Sequence, residues 1–457
     1  MIGGIPIYPG GYSCVFKPQL KCKTETKRTR RVKKIRIKKN DRKRKNINEN
    51  GNKGISKLLF KKHADIEMRN IENFYNALKK IPKSHKYFLF TKTTSCPPAK
   101  ISKDDLRGFD EMCAKFTSHD VNESNINSPS IIRNLKLINM PDAGISINEW
   151  LFYKETNNKD AVSLLHVSRV KVFNKLISTL ISNAIVPMNQ QGVIHNDMKE
   201  DNILIKDSSK TPSPTIIDWG ISGISTRQEP IPAIIMNRSI SISNPFSSIL
   251  FTTEFSKNYS DFLKQNDITV SIRNMRNDLN FQQKLRDFSL SQYLKHKENS
   301  HYSNIQRFFT NAFNLFPDYF DSSSSSSSSD ILRRIPLDQD IKTSDELHHA
   351  LATNYISDVL FHFTDLDERD GIPRFQYVAY FTKVYIFNCD IWGTVFCYNI
   401  FFSFQDKYKY NEYIEMDADT YSHFLRSILS MYMNQIMING HEKMNVPTLV
   451  KSIQNLV

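Results

Sequence analysis

The stretch "GVIHNDMKEDNILI", residues 192–205, constrains this chain more than any other. Apolar residues flank a turn that carries a carboxylate, an ammonium and a carboxamide, on Asp197, Lys199 and Asn202. Sixteen residues beyond Asn202 a second apolar run, "TIIDWG", delivers Asp218 and then a glycine. Burying both sets of flanks leaves the polar groups exposed in the turns between short strands. Strands must therefore coexist with the helical patterns found elsewhere, which excludes an all-helical chain.

At 457 residues the chain is long enough for two or three domain-sized units with a substantial core. Its net charge of +15 is concentrated in "KCKTETKRTRRVKKIRIKKNDRKRK", residues 21–45, where 15 Lys/Arg face only Glu25 and Asp41. The rest of the chain is close to neutral, so basicity belongs to one segment. A block of like charges repels itself and reads as a solvated insertion that could contact a polyanionic or acidic partner. No aromatic residue interleaves it, which disfavours base stacking.

Six scattered cysteines, Cys14, Cys22, Cys96, Cys113, Cys389 and Cys397, show no C-x-x-C pair. That pattern predicts reduced structural thiols, with neither a zinc module nor a disulfide framework. The opening "MIGGIPIYPGGYS" lacks the layout of a signal peptide. The longest apolar run, "VYIFNCDIWGTVFCYNIFFSF", contains Asp390, and an acid at the centre of a membrane helix costs roughly 2.5–3.5 kcal/mol. A buried core segment is the expectation, with no membrane association.

Strands are predicted at "YSCVFKP", "ISKLLF", residues 87–91 and residues 135–139. "HADIEMRNIENFYNALKKI" predicts a helix, since Ile71, Phe74 and Leu78 share one face, and Glu67 lies on that stripe four residues before Ile71. A longer helix is predicted over about 162–187 and another at "DTYSHFLRSILSMYMNQIM". Residues 225–374 are polar and give no clear period, and eight consecutive serines, 322–329, read as a linker or surface insertion.

The form H-x-D-x-K-x-x-N followed by D-W-G resembles the protein kinase family, whose catalytic loop reads H-R-D-x-K-x-x-N and whose metal aspartate opens D-F-G. The resemblance implies ATP and Mg2+ as cofactors, with Asp197 and Lys199 catalytic and Asn202 and Asp218 as metal ligands. It further implies a strand lysine paired with a helix glutamate at the ATP phosphates. Lys57 in "ISKLLF" and Glu67 fit; Glu72 competes but points away from the apolar stripe. A phosphate-covering glycine loop aligns with Gly10, Gly11 and Val15, with only one glycine in family register. "CDIWG" resembles the family's D-x-W segment, whose aspartate hydrogen-bonds the catalytic loop. This gives Asp390, together with His195, the part of supporting that loop. The family's A-P-E motif is absent, and "NPFSSILF" occupies its approximate place.

The implied fold is α+β and two-lobed: a small β-rich ATP-binding lobe with one main helix, residues 1–140, and a large mostly helical lobe, residues 141–457. The small lobe carries the basic insertion, the large one a low-complexity insertion at about 255–375, and the hinge lies near residues 139–144. With its Lys/Asn/Ile-rich composition, the chain resembles the divergent serine/threonine-protein kinases of large DNA viruses. The implied activity is therefore ATP- and magnesium-dependent phosphotransfer to a protein hydroxyl, in the host cytoplasm or in a virion. Two alternatives stay open: a small-molecule kinase of the aminoglycoside or choline type, which usually lacks a lysine at the position of Lys199, and a pseudokinase scaffold, which would need none of Asp197, Asn202 and Asp218.

Overall fold

The computed structural model describes residues 5–9, 13–23, 54–152, 167–207, 212–275, 277–320, 341–407 and 416–457. Gly10, Gly11, most of the basic block and the serine tract lie outside them. Backbone contacts divide the chain into two units, Met1–Lys79 with Phe88–Gly144, and Lys80–Tyr87 with Ile145–Val457.

The first unit is built on a five-stranded antiparallel sheet in the order β1-β2-β3-β5-β4. Its strands are β1 (Ile5–Pro9), β2 (Ser13–Lys17), β3 (Gly54–Phe60), β4 (Thr94–Cys96) and β5 (Leu135–Pro141). Consecutive residues of β3 face opposite sides, as the pleat requires. Leu58 packs with Phe16, Phe109 and Phe116 on one side, while Leu59 packs with Ala64 and Ile138 on the other. Helix α1 (Lys61–Leu78) follows β3 directly and buries Ala64, Phe74 and Leu78. Lys57, two residues before Leu59, shares the face that α1 covers.

Three expectations fail in this unit. Cys14 is bonded to Cys113 and Cys22 to Cys96, so four of the six cysteines form disulfides; among the described residues Cys389 and Cys397 are free and buried. The basic insertion does not begin at Lys21, because Ala99 N donates to Lys21 O, Lys23 N donates to Pro97 O, and Cys22 bridges Pro98. Residues 87–91 form no strand. Phe90 starts a 3-10 turn, Phe90–Lys92, and its ring stacks on Phe88 and on Phe74 of α1. The apolar run thus plugs the helix, and β4 comes three residues later.

The second unit is mainly helical, with small antiparallel sheets. The hairpin β8 (Ile203–Lys206) and β9 (Ser213–Ile216) pairs Ile203 with Ile216, and β6 (Ile145–Ser146) extends it. β7 (Val193–Ile194) pairs with β10 (Gly223–Ile224). The helical period before the 195–202 loop runs Val167–Leu180, widens to a π-turn at Ile181–Ile185 and resumes as Val186–Gln190. The apolar run around Asp390 is the helix Ile386–Phe396, nearly every residue of which is buried. No helix among the described residues is long and apolar enough to cross a membrane.

Within 255–375 the described residues fold as helices: Thr253–Gln265, Leu279–Leu294, Ser300–Leu315 and Ser344–Phe363. Each begins at a side-chain cap, from Thr252, Asp278, Asn299 and a Thr343/Glu346 capping box. Tyr259, Phe281, Tyr293, Phe309 and Tyr355 are buried among them.

Candidate active site

In the first unit the Lys57 ammonium lies 2.9 Å from Glu67 Oε1, both side chains about a quarter exposed or less. The pair follows from geometry: Lys57 is on the sheet face under α1, and Glu67 is two turns into that helix. Glu72 is exposed and outside the pairing. Val15 sits opposite Lys57 in the β2–β3 ladder. Gly10 and Gly11 lie outside the described residues.

In the second unit, Gly192 ends the 186–190 helix at φ +77°, with the Ser225 carbonyl oxygen 2.9 Å from where a Cβ would stand. Glycine is needed there on both counts. β7 then leads into His195, which is fully buried. Its Nε2 is 2.9 Å from Ile217 O and its ring packs edge-on against Trp219.

Asp390, also fully buried, holds the backbone of this loop. His195 N donates to its Oδ2 at 2.9 Å, Asn196 N to its Oδ1 at 2.8 Å, and Asn189 Nδ2 to its Oδ2 at 2.8 Å. Burial pushes the Asp390 carboxyl above its usual range, against the pull of His195 and these donors. The acid inside an apolar helix is thus explained by the two buried backbone N–H groups whose hydrogen bonds it accepts.

Asp197 follows, about four-fifths covered, and two groups grip it. Asn202 Nδ2 donates at 2.8 Å both to its main-chain O and to its Oδ2, and Lys199 Nζ lies 3.1 Å from the same Oδ2. Burial disfavours the Lys199 ammonium, but Asp197, with Asp201 and Asp218, outweighs it and holds the pKa above its ordinary value. Lys199 is a fixed cation. Asn202 immediately precedes β8 and Asp218 closely follows β9; Ile217 N donates to Asn202 O at 3.0 Å, so the hairpin register puts these two residues at one end. The Asp218 side chain is exposed, with backbone φ +60°, and Asn196 likewise sits at φ +64°. Such left-handed conformations are uncommon outside glycine.

Asn189 and Glu200 were not singled out by sequence. Asn189, 2% exposed, ties the preceding helix to Asp390 and to Val193 O. Its signal was available, as an asparagine inside an apolar helical run six residues before His195. Glu200, beside the Asp197–Lys199 pair, is pushed above its usual carboxyl range by burial.

No family model matches the sequence, and no curated protein does. Among solved structures the chain is similar to the Cydia pomonella granulovirus kinase PK-1, with a TM-score of 0.26 and 14% sequence identity, over 54% of this chain and 62% of that one. The chain thus spans less than two thirds of that structure, and a likeness at this score adds nothing to the geometry above.

Proposed function

We propose that the protein is an ATP- and magnesium-dependent phosphotransferase whose acceptor is a serine or threonine hydroxyl of a protein. The observation that carries this reading is the grip on Asp197: a carboxylate held at one oxygen by a buried carboxamide and a fixed ammonium. Its other oxygen receives no protein donor among these contacts and is the one offered to an incoming hydroxyl. In the proposed reaction Asp197 orients that hydroxyl and takes its proton as the alcohol oxygen bonds to the γ-phosphorus, while the bond to the bridging oxygen breaks and ADP leaves.

Lys199 would supply positive charge to a transferring phosphoryl group, and Lys57, held by Glu67, is the residue of the first unit that would bind nucleotide phosphate. The donor set fits a hard cation: Asn202 spends its Nδ2 on Asp197, which leaves Oδ1, and Asp218 offers an exposed carboxylate. Bound there, magnesium would supply charge neutralisation at the β/γ-phosphates. Lys199, two residues after Asp197, favours a protein hydroxyl over a small-molecule acceptor.

The test is ATP consumption by the purified chain with and without magnesium, with phosphorylated residues mapped, alongside nucleotide-dependent thermal shifts. Phosphoserine or phosphothreonine and a magnesium-dependent shift lost in Asp218→Ala are expected. A shift unchanged in Asp218→Ala, or no ATP turnover, would overturn the reading.

A further inference from the structure

Away from these residues, in the second unit, one carboxylate is shared by two histidines. Asp358 and His362 lie one turn apart on the Ser344–Phe363 helix, with His362 Nδ1 3.4 Å from Asp358 Oδ1 and 2.9 Å from its main-chain O. His441 arrives from a distant loop and sets its Nδ1 against Asp358 Oδ2. The imidazoles stack, centroids 3.6 Å apart and 6° from parallel.

The loop that brings His441 is fixed on both sides. Gly440 presses on the helix so closely that a Cβ would stand 2.7 Å from Val359 and 2.8 Å from Tyr355 O, and its carbonyl accepts from Tyr380 Oη. Asn388 Nδ2 donates to Glu442 O, and Asn388 Oδ1 accepts from Met444 N. His441 is therefore delivered to Asp358 by backbone that cannot retreat.

Hydrogen-bond accounting leaves a deficit. His441 faces carboxylates at both nitrogens, Asp358 at Nδ1 and Glu442 Oε1 3.4 Å from Nε2. A neutral imidazole has one N–H and can satisfy one of them. The second calls for either another proton on the ring or a metal cation at that nitrogen. One ligand atom from each of Asp358, His362 and His441 lies within 4.8 Å of the other two. The three side chains remain 20–28% exposed, which leaves a path for an ion.

We propose that Asp358, His362 and His441 form a site for a borderline divalent cation of the zinc class, clipping the Ser344–Phe363 helix to the loop around Gly440. Two imidazoles and a carboxylate, with a fourth position open to water, suit zinc, whereas magnesium and calcium prefer oxygen donors. Capture requires the stacked rings to turn about Cβ–Cγ so that their in-plane lone pairs converge, and that torsion is soft in histidine.

The full-length chain, disulfides intact and stripped with chelator, is titrated without nucleotide or magnesium: Zn2+ by calorimetry, Co2+ by visible absorption. One zinc per chain is expected, with tetrahedral cobalt bands that zinc abolishes and a raised melting temperature. His441→Gln and Asp358→Asn should weaken binding by more than the roughly 10–100-fold lost with an outer-sphere partner. His362→Gln, at a side chain that is 28% exposed, provides the same reading if either of the first two fails to fold. No uptake by the wild-type chain, or uptake undiminished in the variants that fold, overturns the site and leaves an imidazolium ion pair only.

Discussion

Gly393 and Met198 are in backbone contact: a Cβ on Gly393 would strike the Met198 carbonyl oxygen and stand 2.7 Å from that of Ser243. Gly393 lies one turn after Asp390, so a single helix face both binds the loop's N–H groups and seats its carbonyl. Gly393→Ala should gain about 1 kcal/mol of helix propensity and lose about 1–3 kcal/mol to overpacking. The loop that yields carries Asp197. Phosphotransfer is expected to fall on the order of tenfold or more with nucleotide affinity little changed, read by single-turnover kinetics beside a melting curve.

Asp197→Asn keeps the shape and the contact to Asn202 but removes the charge proposed to accept a proton. Turnover should drop by roughly 10²–10⁴ while the ATP-dependent thermal shift survives. Retained turnover would remove Asp197 from the chemistry.

Glu67→Gln separates function from stability. The Lys57–Glu67 pair is partly exposed and contributes little to folding, about 0–1 kcal/mol. Melting should scarcely move, whereas ATP turnover should fall sharply because Lys57 loses its aim. Glu72→Gln is the control, and equal losses in both variants would contradict the pairing as the functional one.

His348 makes folding acid-sensitive. It is fully buried, its Nε2 is 2.8 Å from Tyr293 Oη, and burial lowers its pKa to about 3. The folded state keeps the ring neutral, while the unfolded chain takes up a proton below about pH 6.5. This contribution is therefore complete above pH 6.5 and fades as pH falls toward 3, with about 2 kcal/mol gone by pH 5. Urea denaturation at pH 7 and pH 5 should show that loss in the wild type and a smaller one in His348→Phe.

The basic block should be dispensable only from residue 24 onward. Replacing residues 24–45 with a Gly/Ser linker is expected to leave melting and ATP chemistry intact, and to remove any salt-sensitive binding to a polyanion. Extending the replacement through Cys22 forfeits the bond to Cys96, at a cost of about 2–5 kcal/mol. Differential scanning calorimetry of the two variants distinguishes them.

What could be read from sequence was what local pattern encodes. The strand-like apolar run around Lys57 in "ISKLLF" and the stripe on α1 pointed to the two residues that the structure pairs, Lys57 and Glu67, and an acid in an apolar run announced a buried partner for Asp390. Disulfides across 99 and 74 residues leave no local trace, so Cys14 and Cys22 read as free thiols. The helices between Thr253 and Phe363 were obscured for another reason. Tyr259, Tyr293, Tyr302 and Tyr355 are core residues there, yet with His, Asn and Ser between them the stretch scores as polar. At residues 87–91 strand propensity lost to packing, since Phe90 stacks on α1.

The left-handed backbone at Asn196 and Asp218 sets heat resistance against chemistry at one position but not at the other. Glycine would relieve about 1 kcal/mol of strain at either place. At residue 196 that gain is offset within the fold itself, because glycine would delete a buried side chain whose Oδ1 accepts from Cys389 Sγ. At residue 218 the same step deletes an exposed carboxylate, so a screen that rewards only survival at high temperature would drift toward a sturdier protein with its proposed metal ligand erased.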